Sequence, residues 1–452
     1  MIWYFAIDSY YYEHPEEITT SGVELLVAPD KNELKDTLRK KKVFEVLAPF
    51  NPPDEYSDLF TVIEVPNKYG IFTATEIEYL EKLSSEERKK VEEKLITEKT
   101  GLKISKPDIP LDNLIGMENV KKYAIEVKEI KDDKLKPKGV FLVGLPGTGK
   151  SFSAKVMASA LGYWLVEFNV SKILESKNPV FLIHSIFRHL ERLSREGQKF
   201  ILWIDEIEKM FAGGTENEKR ILGQLLTVMN DLNTPEGYQV NGIFWVTANN
   251  IKDILMRNPE FLRRGRFDQL FFVDAPRLDN ARKIFGFYAK KYGINSYLSK
   301  SKSGFTEDAI DLTKRIYTDL SIGSPDASRF AYVPAEIEAI VKDLKRREVV
   351  NQRFLQVSDN EKREMIKMLY TKHVRNKLQS LLYAEGLVLS SDEERSVKEL
   401  ANFHEKKLKE GNVLLTYIDL ASVIATIEPL SLSMKDAIAI IRSNERFFTP
   451  VD

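Results

Sequence analysis

Cysteine is absent from the 452 residues, which excludes disulfides, thiolate metal sites and cysteine nucleophiles and fits an intracellular protein. Histidine is scarce. His14, His184, His189, His373 and His404 are the full set, and none forms the paired helical spacing of a zinc protease, so a metal held by protein ligands alone is not expected. No apolar run approaches the roughly 18 residues of a membrane helix, and the start, Met1-Ile2-Trp3-Tyr4-Phe5-Ala6-Ile7-Asp8, lacks the basic flank of a signal peptide. An excess of one charge is also missing. The 67 Lys and Arg face 68 Asp and Glu for a net charge of −1, so no global field draws the chain onto nucleic acid or an anionic membrane. These absences lead us to expect a soluble, cytosolic protein without a membrane partner. What is present is a folding composition. With 43% apolar and 30% charged residues, 22 Gly and 18 Pro, the collagen-like and disordered classes drop out. The length exceeds what one core supports, which predicts two or three domains.

The texture of the chain changes twice. Residues 1–106 hold short apolar runs, Ile2–Ile7, Val23–Ala28 and Phe60–Val65, between charged stretches, the pattern of a small α/β domain. It closes on the Glu- and Lys-rich Ser84–Lys99, a polar helix, followed by Pro107 and Pro110, an extended linker. Over residues 107–278 the runs Val140–Val143, Trp164–Phe168, Phe200–Ile204, Ile243–Val246 and Phe271–Val273 alternate with amphipathic stretches. That is the βαβ rhythm of a parallel sheet covered on both faces. Residues 279–452 show apolar spacings of three and four and no strand pattern, which predicts helices alone.

Gly144-Leu145-Pro146-Gly147-Thr148-Gly149-Lys150-Ser151 follows the strand Val140–Val143 and opens the helix-compatible Phe152–Leu161. It matches the Walker A pattern, with both flanks where the chemistry needs them. Glycines let successive N–H groups and the helix N-terminus face a phosphate. Lys150 reaches the β- and γ-phosphates, and Ser151 offers a hydroxyl to Mg²⁺. The competing reading is a glycine-rich turn before a helix, and agreement of eight residues and two flanks outweighs it. Downstream, Phe200–Ile204 runs into Asp205-Glu206. Acids end many strands, but after a Walker A they read as a magnesium-orienting Asp205 and a water-polarising Glu206, hence ATP hydrolysis.

A third strand, Gly242–Ala248, ends in Asn249, and Phe261-Leu262-Arg263-Arg264-Gly265-Arg266-Phe267-Asp268 follows. Here the sequence resembles the AAA family of ATPases over about Leu111–Leu344. Leu114-Ile115-Gly116 stands where that family contacts adenine, and Leu225–Asp231 looks like the helix before its fourth strand. Ala335-Glu336-Ile337-Glu338-Ala339-Ile340 looks like its lid helix, with Ala335 in place of the arginine of other clades. The resemblance implies a P-loop parallel sheet (an AAA+ core) with a carboxyl-terminal helical lid. It implies that Ile115, Gly116, Pro146, Gly147, Thr148, Gly149, Lys150, Ser151 and Asp205 bind ATP, with Ser151 and Asp205 on Mg²⁺. It further implies that Asn249 holds the attacking water with Glu206, and that Arg263 and Arg266 are arginine fingers acting on a neighbouring subunit in a hexameric ring or spiral. The other reading of this arginine cluster is a solvated basic loop.

Two departures stand out. Where the family carries an aromatic-hydrophobic-glycine pore loop, Ser171–Asn178 has no aromatic and no glycine, which weakens the case for threading a polypeptide by that grip. The spacing from Asn249 to Arg263 is also longer than the family pattern. The segment from Thr416 to Lys435 resembles the lid end of stand-alone AAA ATPases of bacteria, cyanobacteria and plastids, whose AAA-like amino-terminal domain lacks a nucleotide site; Lys42–Phe50 and Phe60–Pro66 look like the last strands of that domain. On that alignment, about 346–412 is a helical insertion in the lid. Arg39–Lys42 reads as a solvated helix face and Tyr10–Tyr12 as edge-strand packing, while Phe447-Phe448 is a docking tail or a helix-end anchor. The function expected is an oligomeric ATPase remodelling a macromolecular partner, protein favoured. The alternatives are a nucleotide-controlled scaffold and a DNA- or RNA-associated ATPase.

Overall fold

A computed structural model describes residues 3–6, 26–28, 64–65, 79–80, 82–130, 137–175, 179–211, 216–234, 237–250, 266–300, 304–317, 329–443 and 448–452. Three short strands, β1 (Trp3–Ala6), β2 (Leu26–Ala28) and β3 (Glu64–Val65), pair antiparallel in the order β2-β1-β3, one in each apolar run of the amino-terminal region. The charged stretch is α1 (Ser85–Thr100). Ser84 and Glu87 cap it reciprocally, each side chain meeting the other's backbone N–H, and Gly101 ends it in a left-handed conformation. Lys42–Phe50, Arg39–Lys42, Tyr10–Tyr12 and Phe447 lie outside the described residues.

The central region runs β4 (Lys103–Ser105), α2 (Glu118–Glu129), β5 (Gly139–Gly144), α3 (Lys150–Leu161), β6 (Trp164–Phe168), α4 (Val170–Glu175), α5 (Pro179–Arg195), β7 (Phe200–Ile204), α6 (Glu216–Asp231), β8 (Gly242–Ala248) and β9 (Gln269–Val273). After it come α7 (Leu278–Tyr292), β10 (Tyr297–Leu298), α8 (Phe305–Ile316), α9 (Pro334–Phe354), α10 (Asp359–Leu369), α11 (Lys372–Ala384), α12 (Glu393–Gly411), β11 (Leu415–Thr416), α13 (Tyr417–Thr426), α14 (Leu430–Ser433), α15 (Lys435–Arg442) and β12 (Thr449–Pro450). The expectation of helices alone after Asp279 is therefore corrected by three two-residue strands. Such strands are too short to show an alternating pattern and exist because a partner strand is adjacent: β10 pairs with β11, and β12 with β9.

The strand order of the seven-stranded sheet is β12-β9-β5-β8-β7-β6-β4. β6–β7 and β7–β8 are parallel, and β4 closes one edge antiparallel to β6. Every residue of β5 and β7 is buried, as unbroken apolar runs require when helices cover both faces. By compactness the chain forms two units: Met1–Leu111, Ala124–Leu142 and Ala154–Leu270 in one, and Asp112–Tyr123, Val143–Ser153 and Phe271–Asp452 in the other. Within the first, the register aligns Phe168, Ile204 and Val246, so β6, β7 and β8 end at one edge. That carboxyl edge is where parallel sheets place ligand chemistry. Within the second, α7 to α9 and α10 to α13 share one apolar core, including Phe285, Tyr332, Phe354, Leu378 and Leu420. Phe448 is buried, which selects the anchor reading for that residue.

Candidate active site

The phosphate loop begins where β5 ends. Gly144 has φ 152°, and a Cβ there would lie 1.9 Å from the carbonyl oxygen of Val273. Leu145 N donates to that same carbonyl at 3.1 Å, so the turn out of the strand is fixed against β9 and only glycine fits. Gly147 and Gly149 are left-handed, with φ 74° and 97°, and curl the loop past Pro146 toward the N-terminus of α3. Thr148 Oγ1 donates to the Leu145 carbonyl at 2.7 Å. Lys150 opens α3, is only 5% exposed, and its Nζ donates to the carbonyls of Gly144 (2.9 Å) and Leu145 (2.6 Å). Ser151 is the next residue of the helix. A glycine cradle around a buried ammonium at a helix N-terminus fits a polyphosphate, whose oxygens take the place of the two carbonyls on Nζ.

The lid helix is bonded directly to this loop. Ala335 N donates to the Gly147 carbonyl at 3.0 Å, and a Cβ on Gly147 would lie 3.0 Å from Ala335 Cβ and 3.1 Å from Val333 Cγ2. Glu336 steadies the turn by accepting from Val333 N (2.8 Å) and Leu430 N (2.7 Å). Its partial burial pushes the carboxyl pKa up against the pull of those two N–H groups. Gly116, left-handed at φ 78°, lies against the amide of Asn280 on α7, and Ile115 packs on the apolar core of the helices.

The acids occupy the carboxyl edge of the first unit. Thr247 on β8 donates its hydroxyl to Asp205 Oδ1 and accepts the backbone N–H of Glu206 at 3.2 Å. Glu206 itself has φ 52°, a left-handed conformation that costs a non-glycine residue about 1–3 kcal/mol and concentrates at functional sites. Asn249 Nδ2 donates to Glu206 Oε1 at 3.3 Å, while Asn249 N donates to Glu208 Oε1 at 2.9 Å. Lys209 pairs with the other oxygen of Glu206, and this hydrogen bond is the main reason its ammonium pKa is raised. The structure thus brings Asp205, Glu206 and Asn249 together through Thr247 and the Asn249–Glu206 hydrogen bond. A carboxylate and an amide meeting at one point can hold a water from two sides. The described residues contain no group of three or more His, Cys, Asp or Glu able to hold a metal.

Arg263 and Arg264 lie outside the described residues, as does the longer spacer before them. Arg266 is described, and its Nε donates to Asn230 Oδ1 at 2.9 Å. Thr247, Lys209, Asn280 and Asn230 escaped the sequence reading. A threonine in a strand or an asparagine at a helix end is commonplace, and only position marks them: Thr247 two residues before Asn249, Lys209 three after Glu206.

The sequence model of the family described as "ATPase family associated with various cellular activities (AAA)" matches residues 140–275. The chain is 32% identical over 190 residues to a protein named as an uncharacterized AAA domain-containing protein, ycf46, of Gracilaria tenuistipitata var. liui, covering 39% of this chain and 36% of that one. It is 31% identical over 219 residues to the ATP-dependent zinc metalloprotease FtsH 3 of Symbiobacterium thermophilum, covering 44% and 33%. It is 27% identical over 261 residues to the proteasome-activating nucleotidase of Methanococcus vannielii, covering 53% and 59%. The chain spans about a third of the length of the first two relatives. Over residues 140–275 the chain thus matches the sequence model of the AAA family of ATPases.

Proposed function

We propose that the protein binds ATP with Mg²⁺, hydrolyses it, and couples hydrolysis to remodelling a protein partner as a homo-oligomer, a hexameric ring or spiral. The observation that carries the reading is the pairing of Glu206 with Asn249 beside an Asp205 held by Thr247. A protein that only stored nucleotide would need no base poised at a water. Lys150 and the backbone of Gly147 to Gly149 hold the β- and γ-phosphates, Ile115 and Gly116 face the base, and Ser151 and Asp205 serve Mg²⁺. The cation supplies charge neutralisation at the phosphates. Glu206 takes the proton of the attacking water, Asn249 orients that water, and Arg263 and Arg266 stabilise phosphoryl charge on the adjacent subunit.

Two relatives named for ATP-dependent proteolysis and proteasome activation support a protein rather than a nucleic acid as partner, as does the net charge of −1. This chain lacks paired histidines at zinc-protease spacing, so proteolysis is not carried over. Residues 170–175 are helical and lack an aromatic side chain, so we place the grip on the partner outside the usual pore loop. The three-part division at 1–106, 107–278 and 279–452, the lid insertion at 346–412 and a cytosolic location belong to the same proposal.

The test is complementation by mixing. Arg263→Ala/Arg266→Ala subunits keep a whole phosphate site and Lys150→Ala subunits keep whole fingers. Each is inactive alone, and mixed oligomers should regain part of the rate, since a finger contributes on the order of 10³–10⁵ in well-studied nucleotidases. Confirmed co-assembly without any recovery would remove the trans-acting fingers and the ring with them.

A further inference from the structure

We infer that Asn230 is a positioning residue for Arg266, aiming the guanidinium that the finger reading above assigns to the adjacent subunit; the inference rests on that reading. The main chain around Arg266 is moored to the start of β5. Asp268 N donates to the Gly139 carbonyl at 2.8 Å, and Asp268 Oδ2 accepts Lys138 N (2.6 Å) and Gly139 N (3.1 Å). A Cβ on Gly139 would lie 2.8 Å from the Arg266 carbonyl oxygen, so the close approach depends on glycine at that position. Phe267 is buried with its ring 5.4 Å from that of Phe141. With the backbone fixed from both sides, the direction of the Arg266 side chain is set by its own contacts. Its Nε donates to Asn230 Oδ1 at 2.9 Å.

Asn230 is suited to that task by its place and its chemistry. It is the penultimate residue of α6, and its own carbonyl accepts Lys138 Nζ at 3.1 Å, which ties the helix end to the same segment that moors Arg266. The negative end of a helix favours a nearby cation. An amide oxygen accepts the guanidinium N–H without adding a counter-charge of its own. A long arginine has several rotatable bonds, and one directed hydrogen bond at Nε selects among its rotamers at small cost to the rest of the group. Misplacing a catalytic group by about 1 Å can cost on the order of 10²-fold in rate.

The experiment measures ATP hydrolysis by the full chain across ATP concentrations for the parent, Asn230→Ala, Arg266→Ala and the double variant, with thermal melting as the control for folding. Asn230 is exposed, so melting should be unchanged. Asn230→Ala should lower kcat on the order of tenfold with KM within about twofold, as expected for a misaimed rather than missing group. The double variant should be no slower than Arg266→Ala alone. Adding Lys150→Ala subunits, which carry intact Asn230 and Arg266, should raise the rate of Asn230→Ala subunits. The inference is overturned if Arg266→Ala is slow but Asn230→Ala matches the parent, if the two losses multiply in the double variant, or if the Asn230→Ala loss appears in KM alone. A parent-like rate in Arg266→Ala would instead remove the finger reading, and this inference with it.

Discussion

Lys150 illustrates how a single side chain carries a site. Its ammonium is buried against two carbonyls of its own loop, so the charge is fixed before a phosphate arrives. Lys150→Ala should weaken ATP binding about 10- to 100-fold, the range for losing one charge-assisted hydrogen bond, with the fold intact; isothermal titration and a melting curve check both halves. An unchanged affinity would mean that the loop does not hold the γ-phosphate through this residue. Glu206→Gln keeps an oxygen for Asn249 to donate to but offers a poor acceptor for a water's proton. Turnover should fall about 10²- to 10⁴-fold while nucleotide affinity stays near the parent's, and a near-parental rate would move the base elsewhere. Both residues were legible in the sequence because a strand, a glycine turn and a helix leave little freedom in where Lys150 stands, and because Asp205 and Glu206 directly follow an apolar run. Thr247 and Asn230 were not, since their roles come from strands and helices brought together from elsewhere in the chain.

At the scale of elements, strands buried on both faces were read from sequence nearly residue for residue: Trp164–Phe168 and Phe200–Ile204 have the predicted ends. Edge strands were not, because β4 and β12 each need a neighbour to exist at all. The charge-rich helices after residue 345 hid something else. Tyr370, His404, Asn351, Asp419 and Thr416 form a buried hydrogen-bonded chain, with His404 Nδ1 meeting Tyr370 OH at 3.2 Å and Nε2 meeting Asn351 Oδ1 at 3.0 Å. Asn351 Nδ2 donates to Asp419 Oδ1 at 3.0 Å, and Thr416 Oγ1 donates to Asp419 Oδ2 at 2.8 Å. Nothing in the sequence pattern marks these residues as partners; only packing shows that they tie α9, α12 and α13 together. The turn between β5 and α3 gives the sharpest test at this scale. Gly144→Ala would drive a Cβ into the Val273 carbonyl, so β9 and the phosphate loop cannot both keep their places. We expect a loss of more than about 3 kcal/mol, at the upper end of single substitutions, read as insoluble protein or a collapsed melting temperature. A stable, ATP-binding Gly144→Ala variant would contradict the turn geometry.

For the molecule as a whole, acid should be destabilising before its carboxylates protonate. Burial lowers the pKa of His184, His189 and His404, that of His189 to about 4. The unfolded chain, with histidines near 6.5, then binds more protons than the folded one, so the stability these residues contribute is present above about pH 6.5 and is lost as pH falls toward the folded values. For His189 the span corresponds to about 3 kcal/mol. Glu336, whose pKa is raised, acts in the opposite direction. Melting temperature should drop between pH 6.5 and 5, and His189→Leu should flatten that slope even if it lowers the neutral-pH value. A parent whose melting temperature is level across this interval would refute the assignment. Finally, the bond from Ala335 to Gly147 makes α9 a lever with its fulcrum on the phosphate loop. The helix has 21 residues and is therefore about 31 Å long. A tilt of about ten degrees at the first turn sweeps the far end through about 5 Å, and the far end is where Arg347 and Asn351 grip the segments around Leu369 and Leu414. A sub-ångström event at the phosphate loop would thus emerge as a displacement of several ångströms at those two segments, mechanical gain obtained from length alone.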